Sequence, residues 1–141
     1  MTMNKNEKIS VVIRSKNEER WIGHCIQSVI DLLESPEIIV IDNNSTDKTI
    51  QIVRQFQQDP EILKGGNHAE IKIFNIDDYS PGKSLNLGVN YSQYDYVLII
   101  SSHCVLTNFA LEDLEDKIKK FGCIYGSQTP YYYGKRIQKR Y

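Results

Sequence analysis

Four short apolar runs, each followed by a stretch with helical spacing, narrow what this chain can fold into more than any other feature. Ile9-Ser10-Val11-Val12-Ile13 is rich in β-branched residues and of strand length. Ile38-Ile39-Val40-Ile41 is apolar at every position, as expected for a strand covered on both faces. Ile71-Lys72-Ile73-Phe74-Asn75-Ile76 and Tyr96-Val97-Leu98-Ile99-Ile100 continue the series. Between the runs, Trp21, Cys25, Val29 and Leu32 recur at helical spacing, flanked by Ile22, Ile26, Ile30 and Leu33 and ended by Pro36. Ile50, Val53 and Phe56 mark a second helix. Ser80-Pro81-Gly82 opens a third, carrying Leu85, Leu87 and Val89, and Leu111, Leu114, Ile118 and Phe121 mark a fourth. Cys123 to Gln128 is expected to form a fifth strand. This alternation predicts an α/β domain of three layers, a mostly parallel sheet with helices on both faces.

The 141 residues suit one domain, with 40% apolar and 25% charged side chains, the balance of a soluble globular protein. A net charge of -1 argues against a broad nucleic-acid footprint. Cys25, Cys104 and Cys123 are odd in number and widely spaced, which argues against a disulfide framework or a zinc cluster and points to a reduced, cytoplasmic setting. Residues 1–8 are polar, without a signal core, and are expected to be flexible. No apolar run is long enough to span a bilayer, though peripheral membrane contact is left open. Asp59-Pro60 and Gly65-Gly66-Asn67 punctuate a loop.

In sheets of this kind ligands sit beyond the carboxyl ends of the strands. That rule selects four polar segments: Arg14 to Glu18, Asp42 to Asp47, Tyr79 to Asn86, and Ser101 to Cys104. In the first, Arg14 and Lys16 offer cations for phosphate, and Asn17 and Glu18 offer groups for a base or ribose. The same stretch also reads as a helix start capped by Asn17. In the second, Asp42 and Asn43 can receive ribose or base donors, while Ser45, Thr46 and Asp47 are also ordinary N-cap residues. In the third, Gly82-Lys83-Ser84 at a helix start can attract an anion through free N–H groups. A Walker A loop is rejected because position 77 is Asp where an earlier glycine is required, so Lys83 is left as a weaker phosphate contact. In the fourth, His103 can ligate a divalent metal or donate to phosphate, or be merely structural. Cys104 has no evident base beside it, and His24 and His68 have no supporting context. No Gly-x-Gly-x-x-Gly follows the first strand and no Gly-x-Ser-x-Gly occurs, which disfavours dinucleotide binding and an acyl-hydrolase elbow.

Taken in order, Ile9 to Glu19, Ile38 to Asp47, Pro81 to Gly88 and Tyr96 to Cys104 resemble the family 2 glycosyltransferases of the GT-A fold, over residues 9–128. The resemblance implies a nucleotide-diphospho-sugar donor, usually with Mg²⁺ or Mn²⁺, and typically inversion at the anomeric carbon. It places Arg14, Asn17, Glu18, Asp42, Asn43, Lys83, Asn86 and Ser102 around the nucleotide sugar and His103 at the metal. Two positions depart from the family pattern. A second Asp is replaced by Asn43, and the metal-binding Asp-x-Asp by Ser101-Ser102-His103. An imidazole there suits Mn²⁺ better than Mg²⁺. The resemblance also puts a catalytic Asp and the acceptor-binding elements after Pro130, whereas Tyr131 to Tyr141 holds no carboxylate. Residues 129–141, with Lys135, Arg136, Lys139 and Arg140, then read as a basic aromatic tail where an acceptor part begins. The expectation is a C-terminally truncated transferase domain acting in glycan or polysaccharide synthesis with a second polypeptide or an acceptor domain. Asp77 or Asp78 is the alternative source of a base. A catalytically silent nucleotide-sugar-binding or scaffold protein is the alternative function. A nucleotidyltransferase is disfavoured for want of a Gly-rich basic loop near the first strand.

Overall fold

A computed structural model describes residues 8–59, 69–132 and 135–136. The expectations for residues 1–7, Pro60, Gly65-Gly66-Asn67, His68 and residues 137–141 lie outside the described residues. The chain divides into two compact units, Met1–Phe109 and Ala110–Tyr141.

In the first unit, β1 (Ile9–Ser15), α1 (Ile22–Leu32), β2 (Glu37–Asp42), α2 (Thr49–Gln58), β3 (Glu70–Asn75), α3 (Pro81–Tyr91) and β4 (Tyr96–Ser101) follow one another. The sheet has the order β3-β2-β1-β4 with every pairing parallel. The α/β arrangement expected from the alternation is therefore present. β2 is buried along its whole length and β1 everywhere except Arg14 and its neighbouring loop, because these two strands sit in the middle. β4 is equally apolar in sequence but lies at an edge, which leaves Ile99 49% exposed.

Side chains alternate across the strands, so each face needs its own cover. On one face Val12, Ile39 and Ile41 form a core against Phe74, Ile76, Leu85, Leu87 and Val97. α3 reaches this face through small residues: Ser84 and Gly88 are buried while Val89 is exposed, so Val89 is not the core position its spacing suggested. A Cβ on Gly88 would stand 2.3 Å from Val12 Cγ1, which shows how closely the helix backbone approaches the strand. On the other face Val11, Ile13, Ile38 and Val40 are fully buried. α1 presents Ile22, Cys25, Ile26, Val29 and Ile30 as its buried stripe. Trp21 and Leu32, the two ends of the row that also holds Cys25 and Val29, are exposed. α1 and α2 touch where Gly23 faces Ile52, and the Gln57 side chain ties α2 to the Ile71 carbonyl at 2.8 Å. Each fully buried Val or Ile contributes about 1.5–3 kcal/mol.

At the amino ends of the strands Glu37 is fully buried. Its carboxylate accepts from Ser10 Oγ, from Lys72 Nζ at 2.8 Å, and from the Gln93 N–H and Nε2, both at 2.9 Å. Burial pushes this carboxyl up, but the Gln93 N–H, Lys72 and Ser10 outweigh it and hold it below the usual glutamate value. A buried charge so fully satisfied pins β1, β2 and β3 in register at the pole away from the loops.

The second unit holds α4 (Leu111–Phe121), with Glu112 and Asp113 in its first turn and Lys119 and Lys120 in its last, matching the helix dipole. Gly122, at φ 75°, ends it in the left-handed conformation that glycine adopts freely. No strand forms over Cys123 to Gln128. That run has no neighbouring strand among the described residues, and Tyr125 is 96% exposed, so nothing supports a ladder there. Instead β5 (Tyr131–Tyr132) and β6 (Lys135–Arg136) form a short antiparallel pair.

Candidate functional site

The register brings Ser15, Asp42 and Asn75 level across β1, β2 and β3, with Arg14 opposite Ser101 of β4. All the expected loops of this unit therefore leave the sheet from one edge. The first two are bound into a single piece. Lys16 Nζ donates to the carbonyls of Asn43 and Asn44 at 2.6 and 2.8 Å. The Asn17 N–H donates to Ser45 Oγ at 2.8 Å, and Asn17 Oδ1 accepts from the Thr46 N–H at 2.8 Å. The Glu18 N–H donates to Thr49 Oγ1 at 2.7 Å, and the Glu19 N–H to Asp47 Oδ2 at 3.1 Å. Glu19 Oε2 accepts from the Lys48 N–H at 2.9 Å. Asn17 and Asn44 hold φ of 52° and 51°, a conformation that Asn tolerates better than most residues.

This arrangement reassigns several side chains. Asn17 does not cap α1, whose N-cap position is Trp21 without a side-chain bond; its amide is spent on the second loop. Asp42 is fully buried, and its two oxygens accept from the Ser45 N–H at 2.8 Å and Ser45 Oγ at 2.6 Å. Asp47 does what an N-cap does, accepting from the Thr49 N–H at 2.9 Å, although Lys48 occupies the formal position. Burial raises the Asp47 carboxyl, but the Thr49 hydroxyl and N–H and the Glu19 N–H outweigh it and hold it below the usual range. Asn43 donates its N–H to the Ser15 carbonyl at 2.9 Å, and its side-chain amide makes no hydrogen bond among the described residues.

The third loop joins through two contacts. Asn44 Nδ2 donates to Asp77 Oδ1 at 2.9 Å, and Arg14 reaches the Tyr79 hydroxyl at 3.5 Å. Ser80 caps α3 by accepting from the Lys83 N–H at 3.2 Å. Lys83 Nζ pairs with Asp78, both exposed, and Asn86 lies one turn further along, also exposed. No contact carries Lys83 or Asn86 to the first two loops among the described residues. At the end of β4, Ser102 is buried while His103 is exposed, its Nδ1 standing 3.3 Å from Glu18 Oε1. The same turn covers Cys25, whose thiol lies 3.6 Å from the Ser101 carbonyl; burial, with Cys104 nearby, pushes it up to about 12. Cys25 is thus a packing residue with no nucleophilic role at neutral pH.

Beside the second loop lies an open groove of about 490 Å³, lined by Asp42, Asn44, Ser45, Thr46, Ile50, Arg54, Ile73 and Asn75. Ser15, in the same register row as Asp42 and Asn75, has a buried hydroxyl without a partner among the described residues. In the sequence Ile50, Ile73 and Asn75 read as parts of elements and Arg54 does not stand out at all; none of the four reads as a site residue. Asn75 ends β3 and so obeys the same strand-end rule. Arg54 lies within a helix and carries no local signal.

A metal fits here only as an ion shared with a ligand. Among the described residues no group of three His, Cys, Asp or Glu side chains comes together. His103 and Glu18, 3.3 Å apart, could supply two donors, and the imidazole among them suits Mn²⁺ better than Mg²⁺. No helix among the described residues is long and apolar enough to cross a membrane.

Residues 10–141 match the Glycosyl transferase family 2 sequence profile. The dolichyl N-acetyl-alpha-D-glucosaminyl phosphate 3-beta-D-2,3-diacetamido-2,3-dideoxy-beta-D-glucuronosyltransferase of Methanococcus voltae is 29% identical over 98 residues, 67% of this chain and 29% of that protein. The poly(ribitol-phosphate) beta-N-acetylglucosaminyltransferase TarS of Staphylococcus aureus is 27% identical over 111 residues, 75% of this chain and 18% of that protein. The crystal structure of S. aureus TarS in complex with UDP-GlcNAc superposes with a TM-score of 0.64 and 25% identity, over 82% of this chain and 32% of that one. A mannosyltransferase from Pyrobaculum calidifontis in complex with GDP-Man and Mn²⁺ shares the fold, with a TM-score of 0.60 and 16% identity over 71% of this chain and 28% of that one. This chain therefore spans under a third of the length of each. The parallel α/β sheet is the GT-A arrangement that the resemblance implied.

Proposed function

Because the chain belongs to glycosyl transferase family 2, we propose that its first unit binds a nucleotide-diphospho-sugar for transfer to a glycan or lipid-linked acceptor. The observation that carries this reading is the bonded floor of loops at the carboxyl edge of the sheet, open on one side to a polar groove. Loops held by many hydrogen bonds lose little conformational freedom when a ligand docks, which favours affinity. Asn43 belongs to this floor, Arg14 lies level with Ser101 beside Ser102, and His103, following β4, stands beside Glu18 of the first loop. When bound, Mn²⁺ or Mg²⁺ would neutralise diphosphate charge. Lys83 would reach a phosphate only by releasing Asp78.

Acceptor deprotonation is a separate task, which typically contributes 10²- to 10⁴-fold to rate. Asp77 and Asp78 already accept from Asn44 and Lys83, which makes either a poor free base. Under this reading the base and the acceptor contacts come from polypeptide beyond this donor-binding part, in keeping with the share of each relative that the chain spans.

Calorimetry with UDP, GDP, CDP and ADP, each with and without Mn²⁺, tests the reading. Binding of at least one diphosphate below millimolar concentration is expected. A flat titration with all four, in both conditions, overturns it. Incubation with labelled nucleotide sugars and a broad acceptor panel tests the second part: binding without multiple-turnover transfer is expected, and robust transfer refutes it.

A further inference from the structure

Most polar groups lining the groove beside β2 and β3 are already used. Asp42 and Ser45 bond to each other, and Ser45 also accepts from Asn17. Asn44 donates to Asp77. Capacity is left on Asn44 Oδ1 and Thr46 Oγ1 as acceptors, on Asn75, exposed at the end of β3, and on Arg54, exposed on α2 and without an ion pair among the described residues. Ile50 and Ile73 add apolar wall. A guanidinium only donates, so at Arg54 the groove asks for an acceptor. A bare phosphate has no use for two isoleucines. A flat heterocycle does, with its face on the isoleucines and an acceptor edge at Arg54.

Position along the sheet agrees. The groove lies at β2 and β3, and His103 follows β4, at the far end of the order β3-β2-β1-β4. Two to three steps of about 4.8 Å between strands separate the two, roughly 10–14 Å. A nucleoside diphosphate with its base in the groove would run its phosphates towards His103 and Glu18.

We propose that Arg54 reads the base. Its guanidinium donates to the carbonyl oxygen on the edge far from the ribose, O4 of uracil or O6 of guanine. Cytosine and adenine present an amino group at that place, a donor facing a donor, and are disfavoured. The inference rests on the nucleotide reading above and adds the residue that discriminates among bases.

The experiment is calorimetry of the full chain and of Arg54→Met with UDP, CDP, GDP, ADP and pyrophosphate, all with Mn²⁺. The parent should prefer UDP over CDP and GDP over ADP by about tenfold, the low end of what an arginine–base contact gives. In Arg54→Met both preferences should fall to within about twofold, with pyrophosphate affinity unchanged. Arg54 is exposed, so the variant should melt with the parent; if it does not, Arg54→Gln, whose amide can either donate or accept and so meets both kinds of edge, serves the same comparison. Nucleotide binding with equal discrimination in parent and variant overturns this inference alone. An equal loss for pyrophosphate also overturns it, by placing Arg54 on the phosphates. No nucleotide binding by the parent removes both this inference and the reading on which it rests.

Discussion

Replacing Asp42 by Ala should damage the fold before it damages recognition. A carboxylate at a strand end invites the expectation that it receives a ligand, but here both oxygens are occupied within the protein. The Ser45 N–H lies 2.8 Å from one and the Ser45 hydroxyl 2.6 Å from the other. Hydrogen bonds to a charged group contribute about 1.5–3 kcal/mol each. The hydroxyl can rotate and Ser45 is half-buried, so water recovers part of the loss, and a net cost of about 2–3 kcal/mol is expected. For a chain of this length each kcal/mol moves the melting temperature by about 3–4 °C, so Asp42→Ala should melt about 6–12 °C below the parent. Asp42→Asn retains one acceptor and should fall between the two. Thermal unfolding followed by circular dichroism measures this, and nucleotide titration well below the variant's midpoint separates folding from binding. An unchanged midpoint with lost nucleotide affinity would refute the reasoning and return Asp42 to the ligand.

Glu37→Gln should lose about 2 kcal/mol at neutral pH in urea unfolding, because the bonds from Ser10, Lys72 and the Gln93 N–H to a buried carboxylate lose their charge, Lys72 keeping only the exposed Glu70 at 3.2 Å. Since the folded-state carboxyl is held below its ordinary value, its stabilisation is present above the ordinary glutamate range and fades as pH falls through the folded value; the gap between parent and variant should therefore narrow towards pH 3, and a constant gap counts against the assignment. Gly88→Ala should destabilise by about 1–3 kcal/mol through overpacking on Val12, whereas Gly82→Ala, with nothing within 4 Å of the added methyl, should be near neutral; equal midpoints for the two would contradict the close approach of α3. Thiol titration of the native protein at pH 8 should leave Cys25 unmodified while the exposed Cys123 reacts, and rapid labelling of Cys25 would mean that α1 is not seated on the sheet.

The sequence carried the sheet well because its central strands had no alternative. Ile38 to Ile41 is too continuously apolar for anything but a strand covered on both faces, and it is buried throughout. The helices were legible in extent but less so in orientation. In α1 two interleaved apolar rows fit the same spacing, and packing drew the buried stripe from both, leaving out only the ends of the first, Trp21 and Leu32. Gly88 gave no apolar signal because its contribution is the absence of a side chain. At the site, the strand-end rule found the loops but not the division of labour within them. Asn17, Asp42 and Asp47 have the chemistry of ligand contacts and also of loop fasteners, and residue type alone does not separate the two. Arg54 was invisible for a different reason: a helix on the neighbouring layer brings it beside Asp42 and Asn75, and no spacing in the chain records that proximity.

The bonding of the first two loops to each other also sets which parts of this surface are free to diversify. Lys16, Asn17, Glu19, Ser45 and Asp47 each hold a backbone group of the opposite loop, so a change at any one disturbs its neighbours. Such positions are slow to accept substitution whatever ligand the surface takes. Arg54, Asn75, Asn43, Lys83 and His103 lie on or around that floor, and no side chain among them bonds the two loops to each other. New specificities can be tried there one residue at a time, at little risk to the domain. A selection experiment for altered nucleotide preference should therefore collect its tolerated substitutions at this second group and almost none at the first.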